Sequence, residues 1–273
     1  PVRVYGKDFD HNGVYDMIPS LYLPDQHGQR KEFPAEGRDD LLKQINAMRR
    51  KFPDYKSYAQ ATMDQVLTED QRKGATILEA NYFQTSLLHN DGNGHFTLIP
   101  LPSQAQFSQI NGIAVGDFDG DGNLDLVLNS NDFGTEPNVG RYDAMNGLFL
   151  KGDGTGNFFP ESIWQSGIFI PGDGKGLVTL RGASGHCLLA AGQNRGPLKI
   201  FELKKNLVSA SVGRDDIAAL VSLKNGRTRR EDLSYGSSFL SQSGRFLLLD
   251  DSVIDVELID SRGNKRKLPV PRK

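Results

Sequence analysis

The sequence predicts a mainly β chain assembled from repeated small sheets, and three observations predict it. An acidic loop occurs twice, as Asp8-Phe9-Asp10-His11-Asn12-Gly13-Val14-Tyr15-Asp16 and as Asp117-Phe118-Asp119-Gly120-Asp121-Gly122-Asn123-Leu124-Asp125, each between apolar runs. A Gly-rich turn closed by Phe also occurs twice, at residues 91–96 and 153–158. Such turns join antiparallel strands, because Gly and Asn accept positive φ. Glycine is in excess, 30 of 273 residues or about 11% against a usual ~7%. Many tight turns account for that load better than long helices do.

The elements follow in order. Val2-Arg3-Val4-Tyr5 is strand-like, the first acidic loop follows, and Met17 to Leu23 resumes the strand pattern. From acidic loop to Gly-rich turn is 83 residues in the first copy (8 to 91) and 36 in the second (117 to 153), an insertion of 47. The insertion, placed at about 34–76, has a helical period. Leu41, Leu42, Ile45 and Met48 share one face, and Tyr58, Ala61 and Val66 mark a second helix after Pro53. Thr68-Glu69-Asp70-Gln71 reads as a capping box opening a third. Strand character returns at Ile77. The second copy runs from Gly112-Ile113-Ala114-Val115-Gly116 through its loop to Leu126-Val127-Leu128-Asn129. A third, degenerate copy pairs Gly176–Leu180 with Leu188–Ala191 and has residues 181–186 where the acidic loop stood.

A repeat of about 60 residues with four short strands is the size of a propeller blade, which must stack on neighbours to bury both faces. The expected fold is therefore part of a β-propeller over residues 1–203: about three four-stranded blades, one with a helical insertion. Three blades do not close a ring, and the chain opens at Pro1 without an initiator Met, so it is expected to be a piece of a longer protein. Residues 204–273 are expected to form a small β module. Its signals are the hairpin Ile217–Leu233 around Lys224-Asn225-Gly226-Arg227, and the strands Phe246–Leu249, Val253–Leu258 and Lys265–Val270.

Composition excludes several classes. With 37% hydrophobic and 24% charged residues the chain is foldable, and it has no apolar run of the roughly 18 residues a spanning helix needs. Cys187 is the only cysteine, so a disulfide scaffold is excluded. Charge is uneven. Residues 1–203 carry 18 Lys+Arg and 25 Asp+Glu, net −7; residues 204–273 carry 14 and 9, net +5, and the two sum to −2.

The chemistry lies in the acidic loops. In the loop at 117, Asp occupies positions 1, 3, 5 and 9, with Gly at 6. Alternate spacing turns Asp117, Asp119 and Asp121 inward, and the Asn123 backbone carbonyl and Asp125 complete a hard-oxygen set that suits calcium. Magnesium fits less well, because it demands near-ideal octahedral geometry, and zinc lacks His or Cys ligands within reach. An EF-hand is disfavoured, since Leu128 stands where a bidentate Glu is required. The loop at 8 offers Asp8, Asp10, Asn12, Asp16 and the Val14 carbonyl, a second calcium site with one charge fewer and so the weaker of the two. The ion's expected role is structural: it relieves repulsion among the carboxylates and pins two strands.

Outside the loops, Cys187 reads as a small buried hydrophobe, and the five histidines as turn and surface residues. A long polar loop carries Arg141, Tyr142 and Asp143, a candidate grip for a polar ligand. Arg227, Arg229, Arg230, Lys265, Arg266 and Lys267 alternate on strands and read as a solvated face. They lack the aromatic interleaving that single-stranded nucleic-acid binding uses, so a nucleic-acid partner is disfavoured.

The loop Asp117–Asp125, preceded by Gly112–Gly116, resembles the FG-GAP (VCBS) repeat, which builds calcium-binding propellers including the integrin α-subunit head. The segment Tyr235-Gly236-Ser237-Ser238-Phe239-Leu240-Ser241-Gln242-Ser243 is similar to the ASPIC/UnbV segment of cartilage-acidic-protein-like proteins. The helical insertion resembles a variant found in surface proteins of Bacteroidetes. The resemblance implies an exported protein, extracellular or on the outer-membrane surface, that binds glycan or protein without catalysis and holds two calcium ions. Two other readings stand beside it: a propeller-type polysaccharide lyase or other carbohydrate-active enzyme whose site lies in further blades, and nucleic-acid binding through the basic C-terminal module. Against the enzyme, no catalytic-type carboxylate pair or His/Lys/Tyr set stands out beyond the metal loops.

Overall fold

In the computed structural model, which describes residues 1–137, 140–183, 185–205 and 207–270, the chain is mainly β and divides into two units, Pro1–Phe83 and Gln84–Lys273. Unit 1 holds the strands β1 (Val2–Lys7), β2 (Asp16–Pro24) and β3 (Arg30–Pro34). The helices α1 (Arg38–Gln44), α2 (Met48–Lys51), α3 (Tyr55–Ala59), α4 (Met63–Val66) and α5 (Glu69–Arg72) follow, and β4 (Thr76–Ala80) ends it. The antiparallel sheet runs β3-β2-β1-β4, and the Lys7–Asp16 pair closes the first acidic loop. The insertion is helical, as its period predicts, but it is broken into short pieces. Helices this short do not persist alone. Leu41, Leu42, Ile45, Met48, Met63 and Val66 hold them by packing with Tyr5, Phe9 and Ile18 of the sheet side. Thr68 and Gln71 form the expected capping box at the start of α5.

The first copy forms a four-stranded sheet with a helical insertion, but that sheet does not include the Gly-rich turn its spacing assigned to it. β1 takes β4 on its free edge and β2 takes β3, so both edges are filled inside unit 1. The Gly-rich turn at 91–96 instead joins β5 (Ser86–Gly92) to β6 (His95–Pro100), a two-stranded hairpin in unit 2. The loop at 8 and the turn at 91 therefore do not belong to one sheet.

Unit 2 contains the second copy as a four-stranded antiparallel meander. It comprises β7 (Ile110–Gly116), β8 (Asp125–Ser130), β9 (Leu148–Gly152) and β10 (Phe158–Glu161), in the order β10-β9-β8-β7. The short helix α6 (Ile163–Ser166) leads to the degenerate copy, β11 (Gly174–Arg181), β12 (Cys187–Gln193) and β13 (Lys199–Glu202). That sheet has three strands among the described residues, one fewer than expected, and Ser184 of its connecting loop lies outside them. The two sheets share a core of Ala114, Phe118, Val127, Phe149, Leu177 and Leu189. Among the described residues the sheets form no closed ring. Cys187 is buried there, and burial pushes its thiol up to about 11, as fits a packing residue.

The C-terminal region forms two further sheets: β14 (Val208–Ser211) with β17 (Phe246–Leu249), and β16 (Thr228–Asp232), β15 (Asp216–Leu223), β18 (Val253–Asp260) and β19 (Lys265–Lys267) in that order. They enclose their own core of Val221, Leu223, Leu247, Val256 and Leu258. The serine-rich segment between β16 and β17 lies on the exposed edges of β7 and β11. Ile113 N donates to Ser238 Oγ at 3.0 Å, Leu177 N to Ser241 Oγ at 3.0 Å, and Thr179 N to Ser243 Oγ at 3.1 Å. Hydroxyls thus satisfy edge amides that would otherwise invite another strand.

One carboxylate in unit 1 is held against its charge. Glu36 Oε2 accepts from Gln44 Nε2 at 2.9 Å, while Oε1 is buried without a partner. Burial, reinforced by Asp40, raises its pKa from 4.5 to about 7. The folded state therefore binds this proton more tightly than the unfolded state does, so stability falls as pH rises from about 4.5 to 7. Urea unfolding of Glu36→Gln is expected to show a flatter pH dependence over that window; an unchanged slope contradicts the assignment.

Candidate metal centres

Both acidic loops connect the first two strands of a sheet, and both fold by the same internal hydrogen bonds. Asp8 accepts from Asn12 N at 3.0 Å and Gly13 N at 2.9 Å; Asp117 accepts from Asp121 N at 3.1 Å and Gly122 N at 3.0 Å. At the far end Asp16 Oδ2 accepts from Phe9 N and Asp125 Oδ2 from Phe118 N, each at 3.0 Å. Position 5 repeats the pattern: Asn12 Oδ1 accepts from Val14 N, and Asp121 Oδ1 from Asn123 N. The glycine at position 6 has φ of 85° at Gly13 and 89° at Gly122, a left-handed conformation that favours Gly. Phe9 and Phe118 point away from the loops into their respective cores.

The folding draws carboxylates together. Oxygens of Asp8, Asp10 and Asp16 lie within 4.8 Å of one another, and so do those of Asp117, Asp119 and Asp125. Asp16 and Asp125 are buried, and burial raises both pKa values, that of Asp125 to about 6. Two of the expected ligands are directed elsewhere. Asp121 turns its carboxylate to Lys151 Nζ at 2.7 Å, and the Asn12 side chain is engaged with the Val14 amide. The Asn123 side chain accepts from Arg227 Nη1 at 2.8 Å. Val14 is exposed.

The loops differ in how their charge is balanced. In the loop at 8, Asp10 Oδ1 is buried without a hydrogen-bond partner, and among the described residues no ion pair engages the three clustered carboxylates. That donor set, hard and anionic, fits calcium. In the loop at 117 two cations are already present. The Lys151 ammonium pairs with Asp119 and Asp121. Arg229 Nη1 donates to Asp117 Oδ2 and to the Gly122 carbonyl, both at 2.8 Å, and its Nε donates to Glu231 at 2.9 Å. Burial still holds Asp117 and Glu231 above the usual carboxylate range, and their charges keep Arg229 protonated. For Asp121, burial is outweighed by Lys151 and the Asn123 amide, and its pKa falls.

Arg229 corrects the reading of the basic residues as a solvated face, since its side chain is 11% exposed and serves as a counter-ion. The other five are exposed at least in part but are also engaged. Arg227 bonds Asn123 and the Gly154 carbonyl, and Arg230, Lys265, Arg266 and Lys267 pair with Asp232, Glu257, Asp216 and Asp255. Arg141, Tyr142 and Asp143 lie in an exposed loop. The Arg141 guanidinium stacks 4.9 Å from the Phe133 ring centroid, and the Tyr142 backbone pairs with Asp132, so the first two are held by neighbours in their own loop. Sequence reasoning missed Lys151 and Arg229. A signal for Lys151 existed, because it is the single charged residue of β9, a strand whose other residues are buried. For Arg229, 107 and 112 residues from its two partners in the loop, no local signal existed.

Two substitutions test this balance. Arg229→Met leaves Asp117 and Glu231 facing each other without a cation and is expected to cost roughly 3–5 kcal/mol in urea unfolding without calcium. Lys151→Gln is expected to tighten calcium binding at the loop at 117 by at least about tenfold, about 1.4 kcal/mol, in titration calorimetry. Weaker binding in Lys151→Gln contradicts the assignment of Lys151 as a competitor.

Comparison with known families places these loops in context. Residues 74–128 match the FG-GAP-like repeat, a span that takes in β4, the β5–β6 hairpin, β7 and the whole 117–125 loop. The match spans the hairpin and the acidic loop after it, which the structure holds in two separate sheets. No curated protein matches the chain.

Proposed function

We propose that the chain is a calcium-stabilised recognition scaffold that acts outside the cell or on its surface and catalyses no reaction. Its propeller-type blades would lie in residues 1–203 and its β module in 204–273. The observation that carries the reading is the buried, unpartnered Asp10 oxygen within a loop that duplicates the hydrogen bonds of the FG-GAP-like loop at 117. FG-GAP-like repeats suggest recognition in a calcium-rich extracellular setting, and no helix among the described residues is long and apolar enough to cross a membrane. Asp8, Asp10 and Asp16 would hold one ion, with the Val14 carbonyl; Asp117, Asp119 and Asp125 would hold the other, with the Asn123 carbonyl. The ion supplies positive charge that binds the two ends of each loop together. The loop at 8, with no cation of its own, is the tighter site, which reverses the ranking drawn from the number of Asp residues. Glycan or protein is the ligand class, and the engagement of Arg227, Arg229, Arg230, Lys265, Arg266 and Lys267 weighs against nucleic acid.

Calorimetry with Asp8→Ala and Asp117→Ala separates the sites: each substitution should abolish one binding event, Asp8→Ala the tighter. At 100 times its dissociation constant an ion stabilises the fold by about 2.7 kcal/mol, so excess chelator should lower the melting temperature by roughly 5–10 °C. A melt unchanged by chelator, with no heat of calcium binding, rejects the scaffold role.

A further inference from the structure

The chain's only tryptophan, Trp164, is 98% exposed. A bare indole is an expensive group to leave in water, and tryptophan is highly buried on average. The backbone of Trp164 is held in the short helix α6. Ser162 caps α6 and forms a capping box with Gln165, and Gly167 ends it in the left-handed conformation. The indole borders a cleft of about 690 Å³ in unit 2, within the range of small-molecule sites. The cleft's apolar wall is Phe118, Val127, Phe149, Leu189 and Phe201, residues contributed by both the second copy and the degenerate one.

Charged residues also line the same cleft. Glu161 and Glu202 bring two carboxylates, and Lys204 and Lys205 bring two ammonium groups. Among the described residues, no hydrogen bond or ion pair engages any of these four side chains. The charges of these four cancel, and Asp119, the fifth charged residue of the lining, is paired with Lys151, so the cleft has no preference for an anionic or a cationic ligand. They offer both donors and acceptors, which a hydroxyl matches because it both gives and takes a hydrogen bond. A ligand with an apolar face for the indole, a rim of hydroxyls for the mixed charges and no net charge of its own is a neutral sugar ring.

We infer that this cleft is a binding site for a neutral oligosaccharide, with Trp164 as the stacking platform and Glu161, Glu202, Lys204 and Lys205 as hydroxyl partners. This rests on the recognition reading above and names the ligand class and its place. An extended saccharide suits the geometry, with one ring over the exposed indole and the next reaching the aromatic wall. Phe118 and Asp119 reach the cleft from the 117–125 loop, so the wall and the metal centre share one segment.

The single tryptophan makes the test direct, because all indole emission comes from the site. The full chain in millimolar calcium is titrated with neutral hexasaccharides of glucose, xylose, mannose and N-acetylglucosamine in several linkages, and with a mixed neutral peptide of similar length. At least one saccharide is expected to shift or quench the emission saturably. In calorimetry, Trp164→Ala should weaken that binding by at least about tenfold, and Glu202→Gln by a smaller factor. Because the indole is exposed, Trp164→Ala should leave the melting temperature and its response to calcium unchanged. No response to any saccharide overturns the inference, as does a response to the peptide alone or saccharide binding unaffected by Trp164→Ala. A chelator-sensitive melt combined with no saccharide binding rejects this site while leaving the calcium scaffold standing.

Discussion

Electrostatic crowding at a tight turn governs this structure. To pass from one strand to the next in nine residues, each acidic loop folds its own carboxylates over its own amides, and that brings three of them within 4.8 Å. The amides at positions 5 and 6 accept this arrangement, because each donates to the first Asp. They do not remove the charge. Whatever neutralises the carboxylates therefore decides whether the turn, and the strand pair it closes, is held in register. The two loops share the hydrogen bonds to their first and last Asp, and the source of neutralising charge is where they part.

In the loop at 117 the chain supplies cations from far away in sequence. Lys151 comes from the third strand of the same sheet, and Arg229 from the C-terminal hairpin, where Glu231 orients it. Close packing reinforces the junction: a Cβ on Gly152 would run into the Leu124 carbonyl, so only Gly lets β9 approach the loop and its amide reach Asp125. The C-terminal hairpin is thus joined to the FG-GAP-like repeat through a buried charge network. Buried networks of this kind add specificity more readily than stability, since each partner has given up its hydration. In the loop at 8 no such cation arrives among the described residues, and one buried Asp10 oxygen has no hydrogen-bond partner.

Much of this was legible in the residues. The acidic loops, their flanking strands, the capping box at Thr68 and the hairpin around Asn225 all depend on contacts within about ten positions, and such contacts leave a local pattern. The helical insertion was visible through its 3.6-residue period. Its division into five short helices was not, because tertiary packing on Tyr5 and Ile18 sets those ends. The place of the turn at 91–96 was misread for a related reason. Spacing between like motifs says which segments are similar, and strand pairing is decided by which edges remain open, here filled by β3 and β4. The counter-ion role of Arg229 was hidden in the same way: an Arg on an alternating strand looks solvent-facing until the segment packed against it is known.

The most direct measurement of the central claim is a crystal structure of the chain grown in millimolar calcium, with anomalous scattering used to identify the ion. The account predicts density at the loop at 8, with oxygens of Asp8, Asp10 and Asp16 about 2.3–2.6 Å from a calcium ion. At the loop at 117 it predicts Lys151 displaced wherever an ion is present. A loop at 8 without an ion, its three carboxylates spread apart into solvent, would contradict it.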